Sequence, residues 1–161
     1  MTRMHRDGDQ IVVEFDEAEA GVLGSVARQL SVLLADAAAL DDPAVTRLMP
    51  DAYPDDAEAS AEFRRFTRED MASRKAATAA AIADAVGTES VDSEPMTVRL
   101  DGAAADRWLR GLADLRITLA SRLGIEHDDD EAPDDATGAL YHWLGELQWA
   151  LVETMDAEGT G

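Results

Sequence analysis

Apolar residues recur at three- and four-residue spacing in three separate stretches of this chain: Leu23, Ala27, Leu30 and Leu34, then Trp108, Leu112, Leu115, Leu119 and Leu123, then Leu140, Leu144, Leu147 and Leu151. That spacing returns a side chain to the same face of an α-helix. Each stretch is therefore an amphipathic helix whose stripe must find another apolar surface. In 161 residues the economical solution is one domain with a shared core. The expected fold is predominantly α (α+β), with about five helices in a compact bundle and a small two-stranded sheet. The domain spans residues 1–161, with disordered ends at about 1–8 and 157–161 and an acidic loop at about 126–136.

The sheet comes from two strand–helix units. Gln10 to Phe15 (QIVVEF) is short and β-branched and predicts a strand. Asp16 follows as an N-cap, and Glu19 completes a capping box for a helix running to about Leu40. Asp41, Asp42 and Pro43 stop it, and the connector VTRLMPDAYPDD is restricted by its prolines. A helix is expected from about Asp55 or Asp56, with Ala59, Phe63 and Phe66 on one face. Thr67 to Asp70 (TRED) reads as another capping box. A continuous helix would place Asp70 on the stripe of Phe63 and Phe66, so two helices are expected to meet at Thr67. The second, with Met71, Ala79, Ile82 and Val86 inward, ends at Gly87. Ser90 to Pro95 is a linker and Met96 to Leu100 (MTVRL) a second strand. Asp101 caps the next helix, which Gly124 closes, and a last helix runs from about Ala136 to Met155.

Sliding the chain so that Asp16 falls on Asp101 lays IVVEFD over MTVRLD. It also matches Leu23 to Trp108, Leu30 to Leu115, Val32 to Ile117 and Leu34 to Leu119. Either the unit is duplicated and the strands pair, or two amphipathic helices that follow short strands merely align.

Composition removes whole classes of chemistry. With no cysteine, disulfides, thiolate catalysis and Cys-ligated zinc are excluded within the chain. The three histidines, His5, His127 and His142, are far apart and fit no HExxH pattern. The run HDDDEAPDD lacks the glycine and terminal glutamate of a calcium loop and reads as a solvated acidic segment. No serine occupies a G-x-S-x-G elbow, and no glycine-rich phosphate loop occurs. The expectation is a protein that is not an enzyme and has no cofactor, no metal and no catalytic residue. The balance of 14 Lys+Arg against 34 Asp+Glu, a net charge of −20, repels a phosphate backbone, so no direct nucleic-acid binding is expected. The start MTRMHRDGDQ has no apolar region and no apolar run reaches membrane-spanning length, so a soluble cytoplasmic protein is expected.

Three features are candidates for contact. Arg64, Arg65, Arg68, Arg74 and Lys75 concentrate positive charge in an acidic chain. They receive an anionic partner, or Glu62, Glu69 and Asp70 satisfy them locally. Arg116 borders the stripe of Leu112, Leu119 and Leu123 and is expected to form a half-buried structural ion pair with a carboxylate of another helix. Trp149 stands opposite the last leucine stripe, while Trp143 and Ala150 widen one flank of it. Such a helix is buried twice, by a second core face or by another protein; Trp149 is the expected partner or homodimer contact.

The segments LMPDAYPDDAEASAEFRRFTREDMASRK, WLRGLADLRITLASRLGI and YHWLGELQWALV resemble the AosR-like family. This is an actinobacterial family of oxidative-stress regulators, formerly a domain of unknown function. The likeness covers nearly the whole chain, and its most specific piece is LRITLASRLGI together with YHWLGELQ. It implies a cytoplasmic regulator of stress-linked transcription acting through a protein partner, a sigma factor or RNA polymerase, and linked to cysteine metabolism. Neighbouring genes in that family imply an alternative, an adaptor or scaffold associated with Clp-type proteolysis. This chain departs from any thiol-sensing scheme because it has no cysteine.

Overall fold

The β-branched run Gln10–Phe15 turns Ile11, Val13 and Phe15 to one side, and all three are buried. In the computed structural model, which describes residues 2–36, 42–49, 61–87, 96–125, 130–131 and 133–157, this strand is the centre of a three-stranded antiparallel sheet. Its order is β1 (Arg3–Asp7), β2 (Gln10–Phe15), β3 (Met96–Leu100). The expected sheet had two strands and a disordered start; residues 3–7 form the third strand instead. Gly8 and Asp9 make a two-residue hairpin turn, with Gly8 at φ 66° in the left-handed region that glycine enters without strain. The strand escapes a periodicity reading because its inward positions, Met4 and Arg6, do not form an apolar pair.

The expected pairing of β2 with β3 is present, and its register is informative. Val13 lies opposite Val98, and these are the two residues brought together by the offset that carries Asp16 onto Asp101. An antiparallel pair in which equivalent residues face each other has a local two-fold axis through that pair, the geometry expected of a duplicated strand–helix unit. Both aspartates cap as expected. Asp16 accepts from the Glu19 backbone at 2.8 Å while Glu19 accepts from the Asp16 backbone at 2.9 Å, and Asp101 accepts from the Ala104 backbone at 2.8 Å.

Among the described residues are five helices: α1 (Glu17–Ala35), α2 (Pro43–Leu48), α3 (Ala61–Val86), α4 (Gly102–Leu123) and α5 (Ala136–Asp156). Two of them are not the helices expected. Asp42 and Pro43 do not end a helix but start one, since proline at the first helical position loses no hydrogen bond and Asp42 caps the Ala44 backbone at 2.9 Å. α2 buries Ala44, Val45 and Leu48. Arg47 tethers it to the Ile125 carbonyl at 3.0 Å, and Arg122 reaches Asp42 at 3.1 Å.

α3 runs unbroken through Thr67, contrary to the expected break. On either side of Thr67, Phe66 is 69% exposed, and Asp70 is half exposed and bound to Arg74 at 2.6 Å. Among the described residues no carboxylate of α3 enters the core, so nothing forces the chain to turn. The inward stripe is Ala72, Ala76, Ala79, Ile82, Ala83 and Val86. These small side chains let α3 lie close against α1 and α4. The approach to α4 is close at Gly111, where a Cβ would run into Ile82 and Thr78. The expected start of this helix, near Asp55 or Asp56, lies outside the described residues, as do 158–161 and part of the acidic loop.

The helices cover one face of the sheet. At the centre Phe15 stacks on Trp108 at 6.2 Å and meets the edge of Trp143 at 6.3 Å, among fully buried Leu23, Ile82, Leu112, Leu144 and Leu151. Each such aliphatic side chain contributes roughly 1.5–3 kcal/mol through the area it removes from water. The other sheet face presents Arg3, His5, Asp7, Glu14, Thr97 and Arg99, with Arg99 donating to Asp7 at 3.0 Å. Among the described residues, no helix is long and apolar enough to cross a membrane.

Candidate functional site

The last helix starts where Asp135 accepts from the Gly138 backbone at 2.9 Å. Its stripe of Leu144, Leu147 and Leu151 is buried against the core, which directs Trp149 the other way. Trp149 is 66% exposed and Val152 beside it 42%. No second core face of the described chain covers this side, so the double burial expected of the helix does not come from within. Trp143, on the flank, turns inward to Phe15, and its Nε1 donates to Thr2 Oγ1 at 3.3 Å.

That hydrogen bond joins the start of the chain to α5 and shapes a cleft of about 350 Å³ between them. Trp143 and Trp149 line it together with Met4, Ala150 and two carboxylates, Glu146 and Glu153. Glu146, Trp149, Ala150 and Glu153 follow one another at helical spacing, so a single face of α5 presents an indole between two acids. Neither Glu146 nor Glu153 has a hydrogen-bond or ion-pair partner among the described residues. A second cleft, of about 290 Å³, lies between α1 and α4 and is lined by Leu33, Leu115, Leu119 and Arg122.

The cation-rich segment is largely matched within the molecule. Arg65 donates to Glu69 at 3.3 Å and Arg74 pairs with Asp70 at 2.6 Å, both one helical turn apart and exposed. Arg68 is engaged too, and the Arg64 side chain lies outside the described residues. Lys75, the chain's single lysine, leaves the group altogether: it points across to α4 and meets Asp114 at 2.9 Å. The structure thus spreads the cluster over the α3 surface and one helix–helix contact.

Arg116 does not form the expected ion pair with any described carboxylate. Its guanidinium lies over the Tyr141 ring at 4.5 Å, in a space left open by Gly145, and its Nε has no hydrogen-bond partner. Lys75–Asp114 is instead an ion pair between two helices with a buried carboxylate, and periodicity missed it. Asp114 is buried, and desolvation raises its carboxyl above the usual carboxylate range, while Lys75 pulls it back. Asp114 lies about 100° from Leu115 on the helical wheel, outside the leucine stripe, and is buried by the approach of α3 beside Gly111.

His5 lies on the open sheet face and His142 is exposed on α5 beside Tyr141, while His127 lies outside the described residues. No curated protein and no solved structure matches the chain. A family model described as Domain of unknown function (DUF2017) matches residues 1–155, and the chain belongs to that family.

Proposed function

We propose that this protein is a non-enzymatic, cytoplasmic regulator that acts through protein–protein contacts in stress-linked transcription, in the manner implied by its resemblance to the AosR-like oxidative-stress family. The observation that carries the reading is Trp149: a large aromatic held 66% exposed on a helix whose opposite face is firmly packed. Rigid, exposed aromatics are the residue type most enriched among the anchors of protein interfaces. The −20 charge supports a basic protein surface as partner rather than nucleic acid. A disulfide switch is not part of the proposal, because the chain has no cysteine.

Retrieval of the tagged full chain from native lysate tests the reading. Co-retrieval of RNA polymerase or a sigma factor, lost on Trp149→Ala, is the expected result. Retrieval of Clp-type protease subunits instead would replace transcription with the adaptor role, and identical retrieval by the Trp149→Ala variant would remove Trp149 from either role.

A further inference from the structure

We infer that the cleft between the N-terminal strand and α5 receives an arginine or lysine side chain of the protein partner, seated over Trp149 and held by Glu146 and Glu153. The inference rests on the protein-contact reading above and names the chemistry of that contact.

Three observations combine. The cleft wall is aromatic, with Trp149 exposed and Trp143 fixed in place by Thr2 and Phe15, so the site exists before a partner arrives. Two carboxylates flank the indole on the same helix face, and among the described residues neither has an ion-pair partner. Lastly, the residues lining the cleft include no arginine or lysine.

An indole face attracts a cation through its quadrupole, and the long stem of arginine or lysine covers apolar wall such as Ala150 and Met4. Glu146 and Glu153 then supply charge-assisted hydrogen bonds. The volume of about 350 Å³ sits at the low end of the range of about 300–1,000 Å³ typical of small-molecule sites, which suits one or two side chains. A second copy of this chain is the poorer occupant. A two-fold contact through this face would bring the Glu146 and Glu153 carboxylates of both copies together, in a molecule already at −20.

The probe is an end-blocked Gly-Gly-Arg-Gly-Gly peptide, compared with the same peptide carrying uncharged citrulline. Each is titrated into the full chain while the Trp149 indole N–H resonance is followed by NMR. The expected result is a saturable Trp149 shift with the arginine peptide and binding at least about threefold weaker with citrulline. Glu146→Gln with Glu153→Gln should weaken the arginine peptide by about three- to tenfold. Glu17→Gln with Asp106→Asn, an equal charge change at exposed positions elsewhere, should leave it within about twofold. Equal binding of the two peptides, equal loss in the two double variants, or an unmoved Trp149 resonance each overturns the inference.

Partner retrieval separates this failure from that of the broader reading. Loss on Trp149→Ala with full retention in the Glu146→Gln, Glu153→Gln variant removes cation recognition and leaves the protein contact standing.

Discussion

Lys75 and Asp114 carry a larger energetic consequence than any of the exposed pairs around them. The i,i+4 pairs Arg65–Glu69 and Arg74–Asp70 are in water on α3, and each contributes about 0.3–0.5 kcal/mol at most. Asp114 is only 6% exposed, so removing its cation leaves a charge with nowhere to go. Lys75→Ala is therefore expected to lower the unfolding free energy by about 2–3 kcal/mol in urea titration, somewhat below the fully buried case because the lysine keeps contact with water. The pH dependence has a definite sign. Burial raises the Asp114 carboxyl above its ordinary 3.8, so the folded chain holds a proton that the unfolded chain has lost. Relative to Asp114→Asn, the native protein should be at its best below that ordinary value and decline as pH rises through the raised one. Asp42 runs the other way. The Ala44 backbone N–H, and then Arg122, hold its carboxyl low, so its stabilisation is present above 3.8 and is lost as pH falls through the lowered value. Urea midpoints of Asp114→Asn and Asp42→Asn across the acid range should thus diverge from the native chain in opposite directions.

At the scale of elements, the two tryptophans of α5 divide the work of the helix. Trp143 closes the core over Phe15 and bonds Thr2, whereas Trp149 faces outward. Trp143→Ala should cost about 2–3 kcal/mol, less than a fully enclosed tryptophan because it is only half-buried. Trp149→Ala should leave thermal stability within about 0.5 kcal/mol and change only partner retention. A Trp149→Ala variant that melts early, with assembly and binding intact, would make the residue structural. The α3–α4 crossing depends on a missing side chain rather than a present one. Gly111→Ala would push a methyl into Ile82, and the buried aliphatics around Ile82 leave it little room, so a loss of about 1–3 kcal/mol is expected in the same assay.

For the whole molecule, charge and topology act on different properties. The local two-fold at Val13 and Val98 gives each strand–helix unit a helical neighbour, α3 for α1 and α5 for α4, and the two halves share one core. Net charge does not choose that architecture; it chooses partners. At −20, with Arg65, Arg74 and Lys75 already matched by acids, the isolated protein should not retain random duplex DNA at physiological salt. A gel-shift assay showing sub-micromolar, salt-sensitive retention would contradict this and point to the Arg64–Lys75 segment.

The features legible without coordinates were those set by neighbours in the chain. Asp16 with Glu19, Asp101 and Gly124 terminate helices through groups within a few residues of themselves, and the leucine stripes of α1, α4 and α5 follow from helical spacing alone. The pairing of β2 with β3 was legible for a related reason, because two matching units carry matching strands. Other features required the partner surface. Thr67 lies mid-helix because Phe66 and Asp70 face water, a fact about what does not pack there. Pro43 starts α2 because Asp42 caps it and α4 offers a surface to bury Val45. Arg6 belongs to a strand because a hairpin turn and the body of β2 hold it there, not its own apolarity. The candidate site divides in the same way. Trp149 stood out on the helical wheel, but its cleft needed Thr2 to come against α5 from the far end of the chain. Lys75 makes the interhelical ion pair expected of Arg116, and Arg116 lies on Tyr141 instead, since a cation's partner is decided by which helix lies within reach of its tip. Local hydrogen bonding and periodicity are encoded over a few residues; burial and pairing belong to surfaces that meet only once the helices have packed.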